Sequence, residues 1–599
     1  MKYEVSFGRL GGAPRAAAAG KKFRLALLGD FSGRANAGRM EVGADLAGRK
    51  PIRVDVDNFD DVLGRMQLTL ALPLTDDGGT IAVNIGEMDD FHPDQLAENV
   101  SLFEELRTLR RNLGSRAGFD RAAKQVLAWG GAEAVPPPPR RARGAAIATT
   151  RLSDFARLVG RSTAAGAPQE TEVDALMARL VGPYVQPSRD PRQDQLIAQV
   201  DEALSATMRR VLHHPDFQTA EAIWRGVEFL VRRIETGARM EIVLYDVSAE
   251  ELAADLAATD ALEDTGLYGM LVEQPALDDH QGPLSAVLGL YDFELAPPHA
   301  DLLGRVAQIA AAAGAPFVSA IGPDPLATPM HEQHPLIQDA FGALFDLPAA
   351  AYLGLATPRF LLRLPYGKKS DPIDAFAFEE FTRQEGLGGM LWGHPALVPG
   401  LLLAETFAQQ GAKMKLGTVM GVGDMAYYTY ANADGEHVAL PCTARLYSER
   451  QAVQVGQYRV MPLLTLRGRP QVRLGGFTSL AGVPLAGFWA PVKIAPAAAA
   501  GTAAPQPGPV AAAPARAAAD APAEETSEPV ADAEAASGAD TEAAPARDAA
   551  DEGAGAAAGA TEAGADDLDA LLASLNAEPE PAAADGTEPD LDALLASLN

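Results

Sequence analysis

The sequence holds a single cysteine, Cys442, so it can form neither an internal disulfide nor a cysteine metal cluster, which fits a reducing compartment. It has no run of about 18 or more apolar residues, which excludes an ordinary transmembrane helix. The opening Met1-Lys2-Tyr3-Glu4-Val5 alternates polar with apolar and lacks the apolar stretch of a secretory signal. Together these absences predict a cytoplasmic protein with no membrane insertion. A long basic run is missing too, so nucleic acid and anionic membrane are poor partners. The net charge of −30 is uneven: residues 501–599 carry 21 acids and 2 bases, which leaves −11 for the rest.

Catalytic signatures are also scarce. No G-x-S-x-G nucleophile elbow is present. His331-Glu332-Gln333-His334 spaces its histidines at i, i+3 rather than the i, i+4 of zinc proteases, and Pro329 and Pro335 flank it, so it reads as a surface loop. His213-His214-Pro215 reads as a helix end, where imidazoles can meet free carbonyls. Gly421-Val422-Gly423-Asp424-Met425-Ala426 matches G-x-G-x-x-A, but no sustained amphipathic helix follows it, as a dinucleotide site requires. Gly367-Lys368-Lys369-Ser370 has Leu362 where the first glycine of a phosphate loop must be. Asp60-Asp61 and Asp89-Asp90 are adjacent pairs, which suit helix starts better than acid–base chemistry. The reading is of a protein that is not an enzyme, with no catalytic residue, metal or cofactor.

What is present is a long chain with two breaks in composition. Its 599 residues and 47% hydrophobic content suggest several packed units. The first break is 132–150, where Pro136–Pro139 and Arg140, Arg141 and Arg143 predict an extended linker. The second comes near Ala495, after which Ala, Pro, Gly and acids predict a disordered tail over 495–565. Before the first break, Phe23–Gly29 reads as a buried strand, Ile52–Val56 and Thr80–Gly86 as alternating strands, and Asn58–Met66 as a short helix. Pro93–Leu113 carries a helical apolar stripe, so residues 1–131 read as a small α/β domain. Residues 151–235 read as helical, and 236–494 as an α/β body with a mixed sheet.

The end of the chain repeats itself. Asp567-Leu568-Asp569-Ala570-Leu571-Leu572-Ala573-Ser574-Leu575-Asn576 recurs as Asp590 to Asn599. Leu568, Leu571, Leu572 and Leu575, and likewise Leu591, Leu594, Leu595 and Leu598, fall on one stripe if each copy is helical. Ten residues make a marginal helix alone, so 566–599 predicts two tethered motifs that fold into a partner's groove. The partner is unknown from sequence.

Several longer stretches resemble a known family. Val56-Asp57-Asn58-Phe59-Asp60-Asp61-Val62-Leu63, Leu74-Thr75-Asp76-Asp77-Gly78-Gly79 and Met88-Asp89-Asp90-Phe91-His92-Pro93-Asp94 resemble the small subunit of the type VI secretion contractile sheath (TssB, or VipA). Leu212-His213-His214-Pro215-Asp216-Phe217-Gln218, Ile223 to Val231 and Thr357 to Gly367 resemble its large subunit (TssC, or VipB). The resemblance implies a fused protomer that packs with other copies or sheath subunits around an Hcp-like inner tube. It further implies an AAA+ disassembly ATPase of the ClpV type and a baseplate as partners. The N-terminal segment with Tyr3, Val5, Phe7 and Leu10 is then the candidate strand exchanged between protomers. The likeness ends near Pro491, where the family's large subunit continues and this chain enters its tail. A sheath-derived adaptor that recruits a partner through its leucine motifs is therefore the alternative. A dinucleotide-binding enzyme is a distant one.

Overall fold

A computed structural model describes residues 5–10, 22–73, 80–129, 192–277, 282–431, 437–465 and 468–492. The chain divides into two units, Met1–Ala503 and Ala504–Asn599, and every described residue lies in the first. The linker, the tail and both leucine motifs lie outside the described residues.

Runs of apolar residues dictate the centre of the fold. Phe23–Gly29 (β1), Met240–Asp246 (β5), Ala286–Phe293 (β6), Phe317–Ile321 (β7) and Leu353–Thr357 (β8) are almost wholly buried, as strands covered on both faces must be. They pair in parallel in the order β8-β7-β6-β1-β5. Ile52–Val54 (β2) closes one side antiparallel to β5. Met461–Thr465 (β11), Val472–Leu474 (β12) and Gly421–Val422 (β9) extend the other side to nine strands. The fold class is the expected α/β with a mixed sheet.

The position of β1 departs from a free-standing N-terminal domain. It lies between β5 and β6, which both follow the proline-rich stretch, with Phe23 opposite Met240 and Leu25 opposite Ala286. Because side chains alternate across a strand, β1 feeds two cores. Leu25 and Leu27 enter one, and Ala26 and Leu28 the other. The break at 132–150 divides the sequence but not this sheet. Arg24, polar in an apolar strand, is buried with its Nη1 donating to Gly282 O at 2.6 Å.

Helices cover both faces. On the first lie Gln193–Leu212 (α5), Pro215–Val231 (α6) and Leu397–Gln410 (α10). On the second lie Ala249–Ala258 (α7), Pro297–Ala313 (α8) and Pro335–Asp346 (α9). Phe59–Met66 (α1) follows Asn58 as the sequence predicts, with Asp60 and Asp61 in its first turn. The stripe read over Pro93–Leu113 is two helices, Pro93–Asn99 (α2) and Ser101–Gly114 (α3), because Val100 adopts an extended conformation between them. Phe119–Trp129 (α4) packs beside α3 and α5. Thr80–Ile85 (β4) pairs with Leu68–Pro73 (β3) in a separate hairpin whose β3 alternates buried and exposed residues.

Candidate assembly interface and inter-segment seam

Several hydrogen bonds between distant parts of the chain lie where its first 130 residues meet the rest. Asp246, at the end of β5, accepts from Phe31 N at 2.8 Å, Ser32 N at 3.1 Å and Ser32 Oγ at 2.7 Å. Trp224 of α6 donates its indole N–H to Phe31 O at 3.0 Å and meets the Phe31 ring edge-on. Asp255 of α7 accepts from Gly43 N at 2.7 Å. In the reverse direction, Asp94 of α2 accepts from Asp374 N at 3.0 Å and Ala375 N at 2.8 Å. Each segment thus satisfies backbone groups of the other, which a buried seam requires.

A cluster of charges locks this seam. The buried Glu251 of α7 receives Arg34 Nε at 3.0 Å and Arg49 Nη2 at 2.6 Å, and Arg49 also pairs with Glu41 at 2.7 Å. Burial disfavours the Glu251 anion, yet hydrogen bonds from Arg49 and Arg34 outweigh it and hold the carboxyl near 2. A second cluster joins α6 to the segment after β8. Arg363 bridges the buried Glu221 at 2.7 Å and Glu380 at 2.7 Å, while Arg225 also binds Glu221 at 2.7 Å. Glu380 is likewise brought to about 2, against its burial, by Arg363, His213 and the Tyr366 N–H. In such buried arrays the loss of one partner strands the other's charge.

The histidines have structural duties. His92, His214 and His334 each precede a proline that opens a helix, and each accepts through Nδ1 from the N–H two residues on, at 3.2 to 3.3 Å. His394 makes the same contact with Ala396 N at 3.3 Å just ahead of α10, and its Nε2 lies 3.0 Å from Tyr291 O. Burial pushes His394 down to about 4, so the ring is neutral. This corrects the expectation for His213-His214-Pro215: His214 caps a helix start and does not meet carbonyls. His331 is 80% exposed in a short 3₁₀ turn over Met330–Glu332. Among the described residues no group of three or more His, Cys, Asp or Glu could hold a metal.

Gly421–Val422 pairs antiparallel with β12 and no helix follows before Thr429–Ala431 (β10), so the glycine motif lacks the strand–turn–helix setting of a dinucleotide site. A cleft of about 270 Å³ opens near the ends of β1 and β6, lined by Asp30, Asp216, Glu250 and Asp292. Three of these carboxylates are engaged: Asp30 with the Arg34 and Ala35 N–H groups, Asp216 with Asn36, and Asp292 with Arg359. Burial raises the Asp30 carboxyl.

Of the candidate exchanged strand, Tyr3 lies outside the described residues, and Val5, Phe7 and Leu10 are half-buried against the second core. Gln308 and Arg305 of α8 donate to Phe7 O at 2.6 Å and Ser6 O at 3.1 Å. Arg9 forms a single parallel bridge with Ala261, through Arg9 N to Asp260 O at 2.7 Å and Leu262 N to Arg9 O at 3.0 Å. A β-carbon on Gly304 would lie 1.9 Å from Phe7 Cδ1, so only glycine leaves room for the ring. Sequence reasoning missed the seam ion pairs, because nothing local marks Glu251 as the partner of residues about 200 positions away.

Comparisons with known proteins agree with this two-part seam. Residues 194–481 match the tail sheath N-terminal domain of the EvpB or VipB family, and residues 19–126 match the VipA family of the type VI secretion system. The chain is 30% identical over 289 residues to the type VI secretion system sheath protein TssC1 of Pseudomonas aeruginosa, an overlap of 45% of this chain and 58% of the relative. The chain thus spans a little over half the length of that curated relative. One polypeptide thus carries a segment that matches the VipA family, over 19–126, and a segment that matches the VipB family, over 194–481.

Proposed function

We propose that this chain is a structural, non-enzymatic protomer of a type VI secretion contractile sheath, assembling with other copies of itself around an inner tube in the cytoplasm. The observation that carries this reading is the shared sheet: β1 of the small-subunit segment sits between β5 and β6 of the large-subunit segment. Fusion then fixes the two parts at one to one, and the buried ion clusters make them one rigid block. Contraction in such an assembly is a rearrangement of packed blocks. The Val5 to Leu10 segment is the candidate tie between neighbouring copies, because an extended segment held by few backbone bonds can be seated on another copy in the same way. An Hcp-like tube, a ClpV-like ATPase and a baseplate are the partners this role calls for. No helix among the described residues is long and apolar enough to cross a membrane.

Electron microscopy of the purified chain, alone and with a candidate tube protein, tests the reading. Long hollow cylinders are expected. Only monomers or small complexes under both conditions would sink it.

A further inference from the structure

One side of α5 carries two cavities that share Arg209. The first, about 640 Å³, has an apolar wall of Ile373, Phe376 and Phe378. The second, about 570 Å³, is bordered by Arg209, Arg210, His213 and His214, with one carboxylate, Glu385, 3.5 Å from His213 Nδ1. Between Glu202 and His213 the helix rises about 16 Å at 1.5 Å per residue. One end of the groove therefore has an apolar wall, and at the other two arginines face a single carboxylate.

The charges at the two ends differ in availability. Arg209 is tied to Glu202 at 3.1 Å, whereas Arg210 is exposed and has no ion-pair partner among the described residues. His214 uses Nδ1 to cap α6, so its Nε2 carries the proton and remains a donor. At the apolar end the carboxylates Glu202, Asp374 and Glu379 outnumber the cations Arg209 and Lys368, so that wall disfavours further carboxylates. An occupant must be short and apolar, with its acids gathered at one end.

The duplicated motif has that pattern. Asp567 and Asp569 precede the stripe of Leu571, Leu572 and Leu575, and Asp590 and Asp592 precede Leu594, Leu595 and Leu598. A ten-residue helix is about 15 Å long, which matches the groove. Two motifs stand against one such groove among the described residues, which suits a contact that reaches beyond the chain itself. A chain of about 70 residues precedes the first motif, with a root-mean-square reach near 50 Å if flexible, enough to meet a neighbour.

We propose that the groove between α5 and the 368–385 segment docks a leucine motif of a second copy, with the aspartates at Arg210 and His214 and the leucines on Ile373 and Phe376. Two motifs per chain then tie one copy to two others, with avidity from the tether. The inference goes beyond the sheath reading, since chains that build no cylinder can still show it.

The test mixes isotopically heavy and light full-length chains carrying photoreactive benzoylphenylalanine in place of the half-buried Phe376. Mass spectrometry should find heavy–light cross-links from position 376 to residues 566–599. Substituting Leu571, Leu572, Leu594 and Leu595 with Asp should abolish them. Arg210→Glu, at an exposed position, should lower their yield about fivefold, as reversing a surface charge does. Cross-links to the tail within one isotopic label only, or none to the tail, would overturn the proposal.

Discussion

The carboxylate of Glu251, fully buried, lies 2.6 Å from Nη2 of Arg49, a residue 202 positions earlier on the far side of the proline-rich stretch. One pair thus joins the two family segments, with Arg34 and Glu41 completing the cluster. Removing Arg49 leaves a buried anion with one cationic partner. Arg49→Ala should therefore destabilise the body by about 3 kcal/mol, the lower end for breaking a buried pair. Thermal unfolding checks this, and a double variant with Glu251→Gln should cost less than the sum of the two singles. The same pair has a pH signature. Glu251 is held near 2 against an ordinary 4.5, so its unfolded form takes up a proton first as pH falls. Its stabilisation is full above about pH 4.5 and drains away between there and about pH 2.

His394 gives a second pH window. Its folded value is about 4 against an ordinary 6.5, because burial disfavours the imidazolium. The unfolded chain binds that proton first, so stability is full above pH 6.5 and falls as pH drops toward 4. The groups facing the ring include Asp292 and Arg359, which act in opposite directions. His394→Asn keeps a side-chain acceptor for Ala396 N but does not titrate. Urea midpoints measured above pH 6.5 and near pH 4 should diverge less in the variant than in the natural chain. An unchanged difference would locate the acid sensitivity elsewhere.

How far the sequence discloses this structure depends on the range of the interactions involved. The apolar run Phe23–Gly29 marks a buried strand, and the burial of all seven residues agrees. The short helix read over Asn58–Met66 is local and equally legible, and α1 occupies Phe59–Met66. The neighbours of β1 are not, because pairing Phe23 with Met240 is decided by packing across more than 200 residues rather than by any pattern within the strand. The histidine caps fall between these cases. His-Pro occurs at His92, His214, His334 and His394, and proline's preference for the first helical turn could have flagged three of them as helix starts. The ion clusters were opaque, since Arg49 and Arg363 look like any surface arginine until the fold buries them.

The seat of the N-terminal segment makes a local prediction. Gly304 faces the Phe7 ring so closely that an added β-carbon would stand 1.9 Å from Cδ1. Gly304→Ala should unseat residues 5–10 while the helix itself gains propensity. Trypsin cleavage after Arg9 should then accelerate about tenfold, the effect of roughly 1.4 kcal/mol less protection. Global melting should shift little. A cleavage rate equal to that of the natural chain would show that the segment is not held by this socket.

The central place of β1 leads to the last prediction. If the chain is cut within residues 132–150 and the halves are made apart, each lacks what the other supplies. The second half would expose the facing edges of β5 and β6, each a row of unpaired N–H and C=O groups flanked by apolar side chains. The first half would carry Leu25, Ala26, Leu27 and Leu28 with no core on either side. Both halves should be insoluble or aggregated when expressed alone. Made together, they should co-purify at one to one, because the strand pairing and the Arg34, Arg49 and Glu251 cluster need no covalent link. Size-exclusion chromatography and circular dichroism of the three preparations decide the matter. A monomeric, cooperatively melting second half on its own would mean that β1 completes an already stable sheet, and the fusion would then hold together two independent folds.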